Sequence, residues 1–68
     1  MEKELLLKNN IKQVRCEQKL SQEELAKLVG TTRQTIIAIE KGTFSPTAKL
    51  ALLLSIALNK KFEELFFF

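Results

Sequence analysis

Arg33 and Gln34 are neighbours, and their side chains suit paired hydrogen bonding to a flat acceptor edge. An Arg guanidinium donates twice to O6 and N7 of guanine, and a Gln amide bonds N6 and N7 of adenine. That chemistry needs both groups on a rigid element narrow enough to enter a groove. The stretch Arg33–Lys41 reads as such an element: Ile36, Ile39 and Glu40 share one helical face, Thr31 or Thr32 precedes it as a cap, and Gly42 ends it. Arg33, Gln34, Ile37, Ala38 and Lys41 are then directed outward. Contact with a thymine methyl would account for an outward Ile37, and so would the ordinary scatter of apolar residues over a surface.

Other chemistry is poorly supplied. The 68 residues include no His, Tyr or Trp and a single Cys, so an internal disulfide and a His/Cys zinc site are both excluded. Nothing resembles a nucleophile with its base, a carboxylate pair in a cleft or a Gly-rich phosphate loop. No enzyme activity, cofactor, metal or small-molecule ligand is expected. Cys16 falls about 140° around its helix from Ile11, off the apolar stripe. Without a resolving partner it reads as an exposed, inert thiol in a reducing cytoplasm.

The elements that must hold these residues follow from composition and spacing. With 46% hydrophobic and 28% charged residues the chain is globular, and its length allows one domain, 1–68, with a core at about 10–66. Ile11, Val14 and Arg15 mark a first helix from Asn10 to Leu20. Ser21-Gln22-Glu23-Glu24 is a capping box opening a second, whose stripe is Leu25, Ala26, Leu28 and Val29 and whose stop is Gly30. Gly30-Thr31-Thr32 is the tight turn into the third helix. Ser45-Pro46 signals a fourth, running to about Leu58, and Asn59 its left-handed stop. Phe62 to Leu65 can add a turn, leaving Phe66, Phe67 and Phe68 as the one candidate for an extended piece. The expected fold is all-α, a compact five-helix bundle containing a helix-turn-helix.

The run from Leu20 through Gly30-Thr31-Thr32-Arg33-Gln34-Thr35-Ile36 to Ile39-Glu40-Lys41-Gly42, continuing by Ser45-Pro46 to Leu58-Asn59, resembles the Cro/repressor-type helix-turn-helix family, also called the XRE family. The resemblance spans about residues 10–66 and implies a lambda-repressor-like DNA-binding domain and a sequence-specific transcriptional regulator; a repressor is the expectation, although the residues do not distinguish repressor from activator. It implies a homodimer on a pseudo-palindromic double-stranded operator, with the third helix in the major groove. It also assigns Gln22 to a DNA phosphate, where the free amides of a helix start favour an anion, and pairs Arg15 with Glu40 as a structural ion pair. Thr32, Lys41, Thr43 and Lys49 flank the third helix and suit backbone phosphates. Ile37 and Ala38 depart from the polar residues many relatives place there, so sequence preference does not transfer.

The fourth helix is apolar nearly all round. Leu50, Ala51, Leu54 and Leu58 form a core face, and Leu52, Leu53 and Ile56 point elsewhere, which implies a second burial surface. Leu53, Ile56, Phe66, Phe67 and Phe68 are the expected dimer interface; the alternative places Phe62 and Phe66 in the core and leaves the last two Phe frayed. The net charge of +3 and pI near 9.3 lean toward polyanions without deciding a function. Ala48 to Leu58, interrupted by Lys49 and Ser55, falls short of the roughly 20 apolar residues of a membrane span, and Met1 to Asn10 lacks the apolar core of a secretion signal. The expected location is cytoplasmic, at the nucleoid when DNA-bound. The competing function is a protein-binding module, antitoxin-like or an adaptor, with secondary DNA binding.

Overall fold

In the computed structural model, which describes residues 6–68, three of the five helices start at a hydroxyl that satisfies an otherwise free amide. In α2 (Gln22–Val29) Ser21 Oγ accepts from the Glu24 amide at 3.0 Å while the Glu24 carboxylate accepts from the Ser21 amide at 2.8 Å, completing the expected capping box. Thr32 Oγ1 accepts from the Thr35 amide to open α3 (Arg33–Lys41). Thr47 Oγ1 accepts from the Leu50 amide to open α4 (Ala48–Leu58). This corrects the start expected at Ser45-Pro46: Thr47 is the extended residue whose hydroxyl stands three positions before a free amide, so Pro46 precedes the cap. The remaining elements are β1 (Lys8–Asn9), α1 (Ile11–Glu17), α5 (Phe62–Leu65) and β2 (Phe66–Phe67). The secretion-signal reading of Met1 to Asn10 falls in part on residues 1–5, which lie outside the described residues.

α1 ends at Glu17, short of the expected Leu20. Lys19 adopts φ 59°, the left-handed region, and the chain turns so that the Leu20 carbonyl accepts from Arg15 Nη1 at 2.8 Å. This bond, with the Leu20 amide returning to the Arg15 carbonyl at 3.1 Å, offsets a backbone conformation that is unfavourable for a side-chain-bearing residue. At the end of α2, Gly30 takes φ 73° without a Cβ penalty, and the Thr31 amide returns to the Ala26 carbonyl at 2.9 Å. Asn59 ends α4 at φ 56°, and the Lys60 amide returns to the Ser55 carbonyl at 3.0 Å.

The core is made where these helices cross. Ile11, Leu25, Ile36, Ile39, Leu54, Leu58 and Leu65 are fully buried, and Val14, Ala26, Val29, Ala51 and Phe66 close around them. Burial of each large aliphatic side chain is worth about 1.5–3 kcal/mol. Leu28 does not join the expected stripe and is 60% exposed. On a helix of 3.6 residues per turn it stands roughly 110° from the line through Leu25, Ala26 and Val29, too far to reach the same neighbours.

β1 pairs with β2 antiparallel, Lys8 opposite Phe67 and Asn9 opposite Phe66, so the five helices are accompanied by a two-stranded ribbon joining the chain's two ends. The extended C-terminal piece was expected; its partner was not. Phe66 is a correction to the expected interface. It is only 3% exposed and stacks on Phe62 with ring centroids 5.3 Å apart, because its place in the ribbon turns its ring inward. Leu53 is half-buried and packs against the core, which limits what it offers a partner. Among the described residues no helix is long and apolar enough to cross a membrane.

Candidate nucleic-acid interface

α3 lies on α2 through Ile36 and Ile39, both fully buried. Burial of those two fixes the rotation of the helix and leaves Arg33, Gln34 and Lys41 exposed on its far side. Ile37 and Ala38, on the same side, are half-buried. Three of the five outward residues are therefore exposed on a surface one helix wide, with Arg33 and Gln34 in the first turn, the part of a recognition helix that reaches base edges.

Charge is distributed unevenly over the helix starts. α2 carries Glu23 and Glu24 in its first turn, and the backbone and side-chain hydrogen bonds from Ser21 hold the Glu24 carboxyl below its usual range. α3 and α4 have no acid in their first turns; Arg33 stands in one and exposed Lys49 in the other. The positive ends of α3 and α4 are thus reinforced by cations, an arrangement that favours an anion at each.

The flanking residues are placed differently from one another. Thr32 Oγ1 serves the α3 cap and shares a hydrogen bond with Thr35 Oγ1 at 3.1 Å. Thr43 Oγ1 donates to the Ala38 carbonyl at 3.2 Å, which also receives the Thr43 amide. Both hydroxyls are exposed but already bonded. Lys41 and Lys49 are exposed cations at opposite ends of the face.

Beneath the face lies the expected ion pair. Arg15 Nε meets Glu40 Oε2 at 2.7 Å and Nη2 meets Oε1 at 3.3 Å, with side-chain exposures of 9% and 4%. The hydrogen bond to Glu40 raises the Arg15 pKa against the opposing effect of burial. Gln22 brings something spacing alone did not reveal: its Nε2 donates to the same Glu40 Oε1 at 3.1 Å. Asn9 was also missed. Its amide donates to the Ile39 carbonyl at 2.8 Å, and no periodic signal marks a residue in so short a strand. Cys16 is an exposed free thiol, on the side of α1 its position predicted.

The helix-turn-helix family model matches residues 11–65. A HTH-type transcriptional regulator of Methanocaldococcus jannaschii is 45% identical over 62 residues, covering 91% of this chain and 94% of that protein. The HTH-type transcriptional regulator YgzD of Bacillus subtilis is 45% identical over 60 residues, 88% of this chain and 91% of the relative. Among solved structures, the restriction-modification controller protein C.AhdI from Aeromonas hydrophila superposes with a TM-score of 0.76 at 31% identity, covering 81% of this chain and 83% of that one. The fold and its exposed third helix define a helix-turn-helix protein. The chain belongs to the helix-turn-helix family, in its Cro/repressor or XRE branch of transcriptional regulators.

Proposed function

We propose that the protein is a non-enzymatic transcriptional repressor that reads a pseudo-palindromic duplex operator as a homodimer, with α3 in the major groove. One observation carries the reading: Arg33 and Gln34 stand exposed in the first turn of a helix whose opposite face is fully buried. Arg33 and Gln34 read base edges, Ile37 and Ala38 meet apolar groups on the groove floor, and Gln22, Thr32, Lys41, Thr43 and Lys49 hold phosphates. The Thr43 hydroxyl already donates to the Ala38 carbonyl and the Thr32 hydroxyl already serves the α3 cap, so the contribution of both comes through geometry and the nearby amides.

A second copy is the second partner. Leu52, Ile56 and Phe68 are 58%, 75% and 69% exposed, large apolar side chains that self-association would remove from water. With Phe66 in the core, the interface reading rests on Ile56, Phe67 and Phe68, with Leu53 at its margin. A two-fold pair would set two α3 helices about 34 Å apart, the spacing of successive major grooves. Sequencing the duplexes that the purified protein selects from a random pool tests base reading and symmetry together. An inverted repeat is expected; recovery of unrelated sequences would remove the base-reading role and favour the protein-binding module.

A further inference from the structure

Glu40 lies on α3, faces the interior and accepts from three donors: Nε and Nη2 of Arg15 on α1, and Nε2 of Gln22 at the first position of α2. We propose that Arg15 and Glu40 are positioning residues for DNA-backbone binding: Glu40 fixes the Gln22 amide plane so that its second N–H donates to a phosphate, and Arg15 neutralises the carboxylate that would otherwise repel that phosphate. The inference rests on the reading of α2 and α3 as the DNA-contacting face.

The reasons are local. A Gln amide nitrogen has two protons, and one is committed to Glu40 at 3.1 Å. Anchoring that proton orients the other and removes the rotamer entropy that a long side chain would lose on binding. The start of α2 needs such a donor. Its amides and dipole favour an anion, but Glu23 and Glu24 stand in the same turn and oppose one. Half-buried Gln22 is a neutral donor at that helix start, and it hangs from the only acid of α3. With Arg15 removed, Gln22 would present the phosphate with an amide backed by an uncompensated negative charge.

The test compares Gln22→Ala in two backgrounds: wild type, and Arg15→Met/Glu40→Leu, where apolar replacement of both partners commonly leaves stability intact. The probe is a random-sequence duplex of about 24 base pairs at low salt, where backbone contacts dominate. In the wild-type background Gln22→Ala should weaken binding about 10-fold or more, the loss of one hydrogen bond to a charged group. In the double variant it should cost less than about 2-fold. Equal losses in both backgrounds overturn the inference and leave the DNA-binding reading standing, whereas no duplex binding by the wild type overturns both. If the double variant does not fold, the wild-type chain decides by its Gln22 side-chain amide resonances. On adding the duplex, one Nε2 proton should shift and the other, held by Glu40, should stay. Both moving together, or neither moving, overturns the proposal.

Discussion

Asn9 and Ile39, thirty positions apart in the chain, are joined by a hydrogen bond of 2.8 Å from the Asn9 amide to the Ile39 carbonyl. The Asn9 side-chain oxygen at the same time accepts from the Ile11 amide at 3.1 Å. One side chain therefore adds a second donor to a carbonyl near the end of α3, which also accepts from the Gly42 amide at 2.9 Å, and supplies an acceptor to an amide at the start of α1. It ties the terminal ribbon to the helix that carries Arg33 and Gln34.

Asn9→Ala should lower stability by about 1–2 kcal/mol, since it removes two hydrogen bonds in a half-buried setting, that of the Ile11 amide and the second of the two that the Ile39 carbonyl accepts. A urea unfolding series gives the number. Asn9→Asp should not restore the wild-type midpoint, because a carboxylate cannot donate to the Ile39 carbonyl. An Asp variant as stable as wild type would show that the bond is dispensable.

Breaking the Arg15–Glu40 pair from one side should destabilise by about 3–5 kcal/mol, the cost of stranding a buried charge. Replacing both by Met and Leu should cost far less. Thermal melts of Arg15→Ala, Glu40→Ala and the double replacement separate the two behaviours, and a small loss in either single variant would indicate that water reaches the remaining charge.

Base reading and backbone holding predict different signatures on α3 and α4. Arg33→Ala or Gln34→Ala should lower affinity for a selected site by about 1–3 kcal/mol each and leave random-sequence binding nearly unchanged. Lys49→Ala should weaken all duplexes alike and reduce the salt slope by about one unit. Fluorescence anisotropy titrations at several salt concentrations distinguish them; equal damage by Arg33→Ala on both kinds of DNA would make it a phosphate contact.

Assembly and core separate at the terminal Phe run. Phe66→Ala should destabilise by about 3–5 kcal/mol as a buried aromatic lost from a packed site. Ile56→Lys, at a position 75% exposed, should leave the melt nearly unchanged and convert the dimer to monomer in sedimentation velocity. A wild type that sediments as a monomer at tens of micromolar, roughly where a weak dimer forms, removes the interface.

Glu24 supplies a pH dependence with a defined sign. Its carboxyl titrates below the ordinary 4.5 because Ser21 donates to the ionised form, so its contribution is present above that value and is lost as pH falls through the lowered one. The melting-temperature gap between wild type and Glu24→Gln should therefore be constant from about pH 7 to pH 5 and close on further acidification. A gap that persists undiminished at low pH would show that the carboxylate charge is not what the capping box uses.

Local chemistry determined most of the helical plan before any tertiary contact was considered. Ser21 with Glu24, the left-handed positions Gly30, Gly42 and Asn59, and the spacing of Ile36 and Ile39 each act within a few residues, so their outcome is written in neighbouring side chains. The same spacing predicted which side of α3 is exposed, and with it Arg33 and Gln34. What folding alone decided involves partners far apart. The ribbon between Lys8–Asn9 and Phe66–Phe67 is too short for a period of two to register, and only chain closure brings its halves together. That closure moved Phe66 from an expected interface into the core. Leu28 was misjudged because α2 buries a narrower stripe than its apolar residues suggest; the early stop of α1 is local but was hidden, because its left-handed cap falls on Lys19 rather than on a Gly or Asn. The Gln22 bond to Glu40 joins α2 to α3, and with Arg15 of α1 the cluster spans three helices; hydrogen bonds between side chains that meet only in the folded state leave no mark on local periodicity.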